Sequence, residues 1–156
     1  MTSSPIARTL GTGDLTVFRQ ILAVFAEAFQ DGATYLSKQP TDEYLYKLLA
    51  SDSFVAIAGY SGESVVGGLA GYVLRKFEQE RSEFYIYDLA VLAAHRRQGV
   101  ATAMIENLKK VAAQRSVHVI YVQADYGDEA AISLYTKLGV REDVMHFDIP
   151  LHPSAA

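Results

Sequence analysis

The sequence predicts an α/β domain in which helices flank a mixed central sheet. Apolar residues recur at helical spacing in some segments, and apolar runs of strand length lie between those segments. A strand–helix–strand unit over residues 84–124 predicts a parallel pair of strands joined by a right-handed crossover. The chain has 156 residues, half of them apolar. We therefore expect one domain over residues 1–156, with flexible ends at 1–5 and 152–156.

The first part of the chain is predicted to form one strand and two helices. The strand is expected near residues 6–10. A helix over residues 15–29, with Asp14 as its N-cap, is predicted because apolar side chains recur at steps of four, three and four. These side chains are Phe18, Leu22, Phe25 and Phe29. Residues 30–40 are expected to be a loop, and Thr41 is expected to cap a short second helix.

Three strands are predicted next. Residues 53–60 and 65–74 flank a short turn that contains Gly62, which indicates a hairpin. The Tyr- and Ile-rich run over residues 83–91 predicts the third strand. A loop over residues 92–98 then leads into a helix. Its apolar positions are Val100, Met104, Leu108 and Val111.

The last part of the chain is predicted to form a strand, a helix and an extended segment. The nearly continuous apolar run over residues 117–124 is typical of a strand covered on both faces. A helix over residues 128–138 is expected to end at Gly139, and residues 140–149 to be extended. We thus expect a sheet of about six to seven strands flanked by about four helices.

Composition excludes several kinds of chemistry. The chain has no cysteine, which rules out disulfides, thiolate metal ligands and a cysteine nucleophile. The net charge of −4 disfavours a nucleic-acid partner. The four histidines lack metal-ligand spacing, so we expect no metal. No apolar run is long enough for a bilayer and the N-terminus lacks an apolar signal core, so we expect a cytoplasmic protein without a membrane partner.

The C-terminal part of the chain is acidic. Residues 125–156 contain six acidic and two basic side chains. This pattern is typical either of a solvated surface or of the wall of a cleft that attracts a cation. The residues that we expect to contact such a cationic substrate are Tyr35, Asp125, Glu142, Asp143 and Asp148.

An anion site is predicted where residues 96–102 close a strand and open a helix. The first N–H groups of a helix have no intrahelical partner and carry partial positive charge. Gly99 lets a phosphate approach the backbone. Arg96 and Arg97 add positive charge, and Thr102 adds a hydroxyl. A basic helix start with a packing glycine is the alternative interpretation of the same residues.

This turn resembles motif A of the GNAT superfamily of N-acetyltransferases. The motif has Arg or Gln, then Gly three residues later and Gly or Ala two further on, and Arg96, Gly99 and Ala101 match it. A second family signature, a helix ending in an aromatic residue, a basic residue and Leu-Gly, is matched by residues 131–139. The resemblance implies a GNAT fold and acetyl-coenzyme A as cosubstrate. It implies coenzyme contacts from Leu89, Val91, Arg96, Arg97, Gln98, Gly99, Val100, Ala101 and Thr102.

A closer resemblance extends over residues 6–149. Segments 76–83, 86–91, 119–128 and 145–148 are similar to the aminoglycoside 3-N-acetyltransferases of the GNAT type. This implies acetylation of the 3-amino group of gentamicin-type aminoglycosides, and hence antibiotic resistance. The residues leave open a polyamine or protein amine as the acceptor, a regulatory module that only binds coenzyme A, and a homodimer.

Asp88 is the leading candidate for the general base. A carboxylate can both bind an ammonium group and accept its proton. Asp88 lies in the last strand before the predicted anion site, and an Asp is unusual inside a Tyr- and Ile-rich strand. Glu83 is the second candidate. Strand parity places Asp88 on the opposite face from Glu83, although a bulge would change this.

The remaining steps of acetyl transfer need an oxyanion donor and an acid. The backbone N–H of Val91 or of a neighbour is the candidate oxyanion donor. The resemblance implies that Tyr135 protonates the departing thiolate, and a packed aromatic is the alternative. Asp128 stands where the family often has Asn, and we expect it to be a helix N-cap. Without a cysteine, direct transfer in a ternary complex is the simpler mechanism.

Overall fold

The computed structural model describes residues 4–152, so most of the ends that are expected to be flexible lie outside the described part. Its contacts divide the chain into two compact units, Met1–Gln123 and Ala124–Ala156. That residues 1–156 act as a single domain stays a prediction. The larger unit contains one five-stranded sheet.

The strands follow each other in space in the order in which they follow along the chain. They are β1 (Ile6–Thr9), β2 (Phe54–Ser61), β3 (Ser64–Arg75), β4 (Ser82–Val91) and β5 (Val117–Val122). The first four pair antiparallel, and β4 pairs with β5 in parallel. The mixed α/β class and the parallel pair are therefore confirmed, and residues 4–152 form five strands in place of the six to seven expected.

Four α-helices lie among the described residues of the larger unit. They are α1 (Leu15–Ala28), α2 (Gly32–Tyr35), α3 (Asp42–Ala50) and α4 (Val100–Gln114), and a 3₁₀ turn lies at Ala93–His95. The single turn α2 falls where a loop was expected. Thr41 caps α3 as predicted, because its Oγ1 accepts a hydrogen bond from the Tyr44 N–H at 3.2 Å.

Asp14 holds the N-cap position of α1, but its side chain does not cap the helix. One carboxylate oxygen accepts a hydrogen bond from the Gly11 N–H at 2.7 Å, and the other pairs with Arg8 at 2.9 Å. The expected capping bond is therefore replaced by contacts to the chain that precedes the helix.

The two long helices pack on opposite faces of the sheet, against glycines that let them approach closely. A Cβ on Gly68 would lie 2.9 Å from the Cβ of Ile21 in α1. A Cβ on Gly67 would lie 2.9 Å from a methyl group of Val100 in α4. Adjacent residues of a strand face opposite sides, so α1 and α4 cover the two faces.

A β-bulge in β4 changes the direction of Asp88. Asp88 pairs with Ala70 of β3, whereas the next pair joins Gly71 to Ile86. Tyr87 is therefore an extra residue, and it reverses the alternation of faces at that point. Asp88 shares the face of its partner Ala70, which packs against the core beneath α1. The parity that placed Asp88 on the opposite face from Glu83 is thus wrong for this strand, because the bulge reverses it.

The strand β5 is less covered than its apolar sequence suggests. Val119 is 43% exposed and Tyr121 is 36% exposed. β5 is also an edge strand among the described residues, and its pairing with β4 ends at Ile86 and Val122. The expectation of a strand buried on both faces is wrong, because apolar composition does not separate a covered strand from an edge strand.

The smaller unit contains one helix, α5 (Glu129–Leu138). Asp128 is its N-cap as predicted, since its carboxylate accepts a hydrogen bond from the Ala131 N–H at 3.1 Å. Residues 139–152 form neither strand nor helix. The expected last strand over residues 140–149 is therefore not formed in the described structure.

Candidate active site

The bulge places the Asp88 carboxylate beside a tyrosine from α2. The Tyr35 hydroxyl donates a hydrogen bond of 2.7 Å to Asp88 Oδ2. Asp31 caps α2 by accepting from the Thr34 N–H at 3.1 Å. The Tyr35 ring lies 5.7 Å from the ring of Phe25 and 5.9 Å from that of Phe29. The tyrosine is therefore positioned both by its helical turn and by packing on α1.

Burial dominates the electrostatics of this pair. Desolvation raises the pKa of the Asp88 carboxyl above its ordinary value, and the hydrogen bond from Tyr35 partly offsets that rise. Burial, together with the same hydrogen bond, also raises the pKa of Tyr35 well above its ordinary value. Tyr35 consequently remains a donor at any physiological pH, and Asp88 is a stronger base than an exposed aspartate.

Glu83, the second candidate base, lies beside Lys76 and His118. Its Oε1 is 3.4 Å from Lys76 Nζ and 3.6 Å from His118 Nε2. Its pairing partner Leu74 and the partner of Asp88, Ala70, are four residues apart in β3, a distance of about 13 Å. The structure therefore does not bring the two carboxylates into one site.

Beyond the bulge, β4 has an edge that β5 does not cover. The Leu92 N–H donates to the Val66 carbonyl of β3 at 2.8 Å. N–H groups of neighbouring residues in a strand point to opposite sides, so those of Leu89 and Val91 point away from β3. The pairing of β4 with β5 has ended by then. The backbone of Leu89 and Val91 is thus directed toward this open edge.

The turn between β4 and α4 has the geometry expected of an anion site. Gly99 has a φ of 86° and is the N-cap of α4, which begins at Val100. Arg97 also has a positive φ of 60°. The Arg96 Nε donates to the Val91 carbonyl at 3.0 Å, which ties the turn to the end of β4. Residues 97–99 are exposed, and the first N–H groups of α4 lack intrahelical partners.

The other predicted site residues lie in the smaller unit. Tyr135 is partly buried in α5, and burial, with a smaller effect of Asp128, raises the pKa of its hydroxyl to about 12. It therefore stays protonated at physiological pH.

Two of the four acids expected to bind substrate are engaged by neighbours. Asp143 Oδ1 accepts hydrogen bonds of 3.0 and 2.9 Å from Arg141. Asp148 Oδ1 lies 2.9 Å from His146 Nε2. Asp125 and Glu142 are exposed.

The structure thus brings Asp88, Tyr35 and the open edge of β4 together within the larger unit. The partnership of Tyr35 with Asp88 has no signature in the sequence, since 53 residues separate the two. Within residues 4–152, no group of three or more His, Cys, Asp or Glu side chains is arranged to hold a metal ion. No helix in that range is long and apolar enough to cross a bilayer.

Comparison with solved structures gives two close likenesses. An aminoglycoside acetyltransferase from an uncultured soil metagenomic sample is 52% identical, with a TM-score of 0.93 over 96% of this chain and 100% of the other. A second aminoglycoside acetyltransferase from such a sample, in complex with sisomicin, is 29% identical, with a TM-score of 0.86 over 95% of this chain and 97% of the other.

Comparison of sequences extends the likeness to other acetyltransferases. The catalytic subunit of the N-terminal acetyltransferase A complex of Arabidopsis thaliana is 35% identical over 103 residues, which are 60% of this chain and 48% of that protein. The chain spans about half the length of the curated relatives it matches. Residues 18–140 match the acetyltransferase (GNAT) family. This match includes the bulged strand β4, the turn after it and helices α4 and α5, and the chain therefore belongs to the GNAT acetyltransferase family.

Proposed function

We propose that this acetyltransferase moves an acetyl group from acetyl-coenzyme A to the 3-amino group of gentamicin-type aminoglycosides, and so confers resistance to them. The observation that carries the proposal is the Asp88 carboxylate, which is desolvated, held by Tyr35 and placed beside the open edge of β4. The likeness to aminoglycoside acetyltransferases supports the substrate class. The 3-amino position rests on the sequence resemblance of segments such as residues 86–91.

The residues around the turn fit the coenzyme. Gly99 has a positive φ and no side chain, so a phosphate group could reach the unpaired N–H groups of α4. Leu89 and Val91 offer backbone to an extended pantetheine arm along the open edge. The phosphates would be held by Arg96, Arg97, Gln98, Gly99, Val100, Ala101 and Thr102. Acetyl-coenzyme A supplies the acetyl group as a thioester when bound.

Asp88 binds and deprotonates the acceptor amine in this proposal. Tyr35 occupies Oδ2, which leaves Oδ1 for the incoming ammonium group. The raised pKa of Asp88 narrows the gap to the pKa of the amine, so proton transfer becomes less unfavourable. Because the chain has no cysteine, the amine attacks in a ternary complex without an acetyl-cysteine intermediate.

Two further groups complete the proposed chemistry. The Val91 N–H, directed to the open edge, is the donor that stabilises the developing oxyanion. Tyr135 is the proposed acid for the departing thiolate. With a pKa of about 12, Tyr135 holds its proton more strongly than a thiol with an ordinary pKa of about 8.5. Its contribution in this proposal is therefore a hydrogen bond to the developing thiolate in the transition state. The thiolate then receives the proton that the ammonium nitrogen of the tetrahedral intermediate loses, with Tyr135 as the relay, so that Tyr135 ends the step protonated.

Acetylation of a protein amine is the second candidate function, and a specific observation favours it. The plant relative is the catalytic subunit of an N-terminal acetyltransferase. The same fold would also suit a polyamine acceptor, or a regulatory module that only binds coenzyme A. We expect a cytoplasmic enzyme that needs no metal, nucleic acid or membrane.

A thiol-release assay with acetyl-coenzyme A tests the proposed function. The acceptors are gentamicin, kanamycin, spermidine and a peptide with a free N-terminus. We expect turnover with gentamicin, and mass spectrometry and NMR of the product should place the acetyl group on the 3-amino nitrogen. Turnover with the peptide or spermidine alone would contradict the proposal, as would acetylation at another position of gentamicin.

A further inference from the structure

Five aromatic rings form a continuous band on the face of the sheet that carries Asp88. We call Phe54, Tyr72, Tyr87, Tyr85 and Tyr121 the tyrosine band. In this order the centroids of successive rings lie 5.5, 6.0, 5.9 and 4.7 Å apart. The band therefore crosses the four strands β2 to β5.

Strand pairing places the band and Asp88 on one side of the sheet. Tyr72 pairs with Tyr85, and Tyr72 lies two residues from Ala70, the partner of Asp88. Residues two apart in a strand share a face. Tyr87, the extra residue of the bulge, contacts the rings of both Tyr72 and Tyr85 and so lies on the same side. The bulge thus brings the ring of Tyr87 and the carboxylate of Asp88 to one face.

The band is exposed at Tyr87, which precedes Asp88 in the chain, and at Tyr72, two residues from Ala70, the pairing partner of Asp88. Tyr87 is 64% exposed and Tyr72 is 39% exposed. Large aromatic side chains stabilise a fold most when they are buried. Two neighbouring aromatic rings that are exposed therefore indicate a binding surface. The rings of Tyr72 and Tyr87 are perpendicular, at 90°, so the edge of one ring points toward the face of the other.

The chemistry of this surface favours a cation that carries a saturated ring. The face of an aromatic ring attracts an ammonium group, and the Asp88 carboxylate adds full negative charge beside it. Apolar C–H groups of a sugar ring can pack on the same aromatic faces. Arg141 and His146, by contrast, already pair with two of the acids that the sequence suggested as cation ligands.

We propose that the tyrosine band is the acceptor-binding surface, on which an amino-sugar ring of a polycation packs against Tyr72 and Tyr87 while its reacting amine reaches Asp88. This inference rests on the proposed function and deepens it. Recognition then depends on ring contacts more than on ion pairs. We expect the enzyme to prefer amino-sugar polycations to linear polyamines, and its affinity for them to fall only weakly as salt rises.

Calorimetric titration of gentamicin into the protein saturated with coenzyme A tests the band independently of turnover. The variants Tyr87→Leu and Tyr72→Leu remove a ring, whereas Tyr87→Phe keeps the ring and removes the hydroxyl. Tyr46→Leu is the matched control, since Tyr46 is also exposed, at 50%, but lies on α3 and outside the band. Tyr87 is part of the bulge, so its replacement could disturb the bulge itself. Tyr72 lies on β3, and Tyr72→Leu therefore removes a ring of the band without changing a residue of the bulge.

We expect both leucine variants of the band to raise the dissociation constant for gentamicin by about three- to thirtyfold. Tyr87→Phe and Tyr46→Leu should stay within about twofold of the wild type. The proposal that the band binds the acceptor would be overturned if both leucine variants had wild-type affinity for gentamicin. It would also be overturned if Tyr87→Phe lost as much affinity as Tyr87→Leu. If the leucine variants lose affinity for gentamicin but the wild-type protein does not acetylate it, the proposed function fails and the role of the band in binding stands. If the wild-type protein does not bind gentamicin at all, both the proposed function and the proposed role of the band fail.

Discussion

At the scale of single residues, Asp88 combines a structural cost with a chemical advantage. Burial raises its pKa, so the ionised carboxylate opposes folding at neutral pH. That unfavourable contribution is complete above the raised pKa of the folded protein, declines as the pH falls through it, and is absent below the ordinary value of 3.8. The same shift makes Asp88 a better base. Stability and activity should therefore respond in opposite directions to its replacement.

Asp88→Asn is the substitution that separates these two effects. Asn keeps an oxygen that can accept the hydrogen bond from Tyr35, but it has neither charge nor basicity. We expect kcat to fall by about two orders of magnitude or more, and the loss to shrink at high pH, where the amine is already neutral. The melting temperature at pH 8 should equal or exceed that of the wild type, and this difference should vanish toward pH 4.

Glu83→Gln is the matched control, because Glu83 lies in the same strand and contacts Lys76 and His118 instead. It should retain most of the activity. An active Asp88→Asn variant beside an inactive Glu83→Gln variant would assign the base to Glu83. If both variants are active, the amine must arrive neutral and neither carboxylate is the base.

At the scale of elements, the sequence predicted the helices well because their signals are local. The recurrence of Phe18, Leu22 and Phe25 located α1, and Thr41 located the start of α3. The bulge in β4 was not located, because it depends on contacts between strands. A Cβ on Gly71 would lie 2.2 Å from the Tyr85 carbonyl oxygen, so this close approach requires glycine on the neighbouring strand. Nothing within residues 83–91 indicates that requirement.

The start of α4 gives a prediction about coenzyme binding. Gly99 has a φ of 86°, a conformation that β-branched residues rarely adopt. Gly99→Val should distort the turn and place methyl groups where the phosphate would approach. We expect the dissociation constant for coenzyme A, measured by calorimetry, to rise at least about tenfold, or about 1.4 kcal/mol.

Gly62→Val is the control for Gly99→Val. Gly62 also has a positive φ, of 60°, with nothing within 4 Å of the added Cβ, but it lies in the turn between β2 and β3. It should show a similar conformational strain with unchanged coenzyme affinity. Equal affinities for the wild type and a folded Gly99→Val variant would show that the turn does not bind the pyrophosphate.

At the scale of the whole molecule, the sequence indicated the mixed sheet but not the end of the chain. Residues 140–149 have strand-like alternation, yet a strand forms only where its backbone pairs with another strand, and residues 140–152 form no such pairing in the described structure. Exposed apolar side chains alternate over residues 145–151, at Met145, Phe147, Ile149 and Leu151, with exposures of 83, 74, 88 and 93%. Alternation is a local signal, whereas pairing depends on residues far away in the chain. The sequence alone therefore could not decide whether residues 140–149 form a strand.

This alternation supports the homodimer that the sequence left open. Each chain offers the same apolar segment over residues 145–151, so two copies could bury these side chains against each other symmetrically. Full burial of an apolar side chain contributes about 1.5 to 3 kcal/mol, and a symmetric pair would bury about eight of them. That sum can exceed the roughly 4 to 15 kcal/mol that association costs in lost freedom.

We therefore expect a dimer in sedimentation velocity experiments at micromolar concentration. A double variant, Phe147→Asp with Ile149→Asp, should shift the protein to a monomer because it places two charges on the apolar side of the segment. Val144→Asp is the matched control, since Val144 is also exposed, at 68%, but has the opposite parity. It should remain dimeric. A monomeric wild type would refute the dimer, and a dimeric double variant would show that the chains associate through another surface.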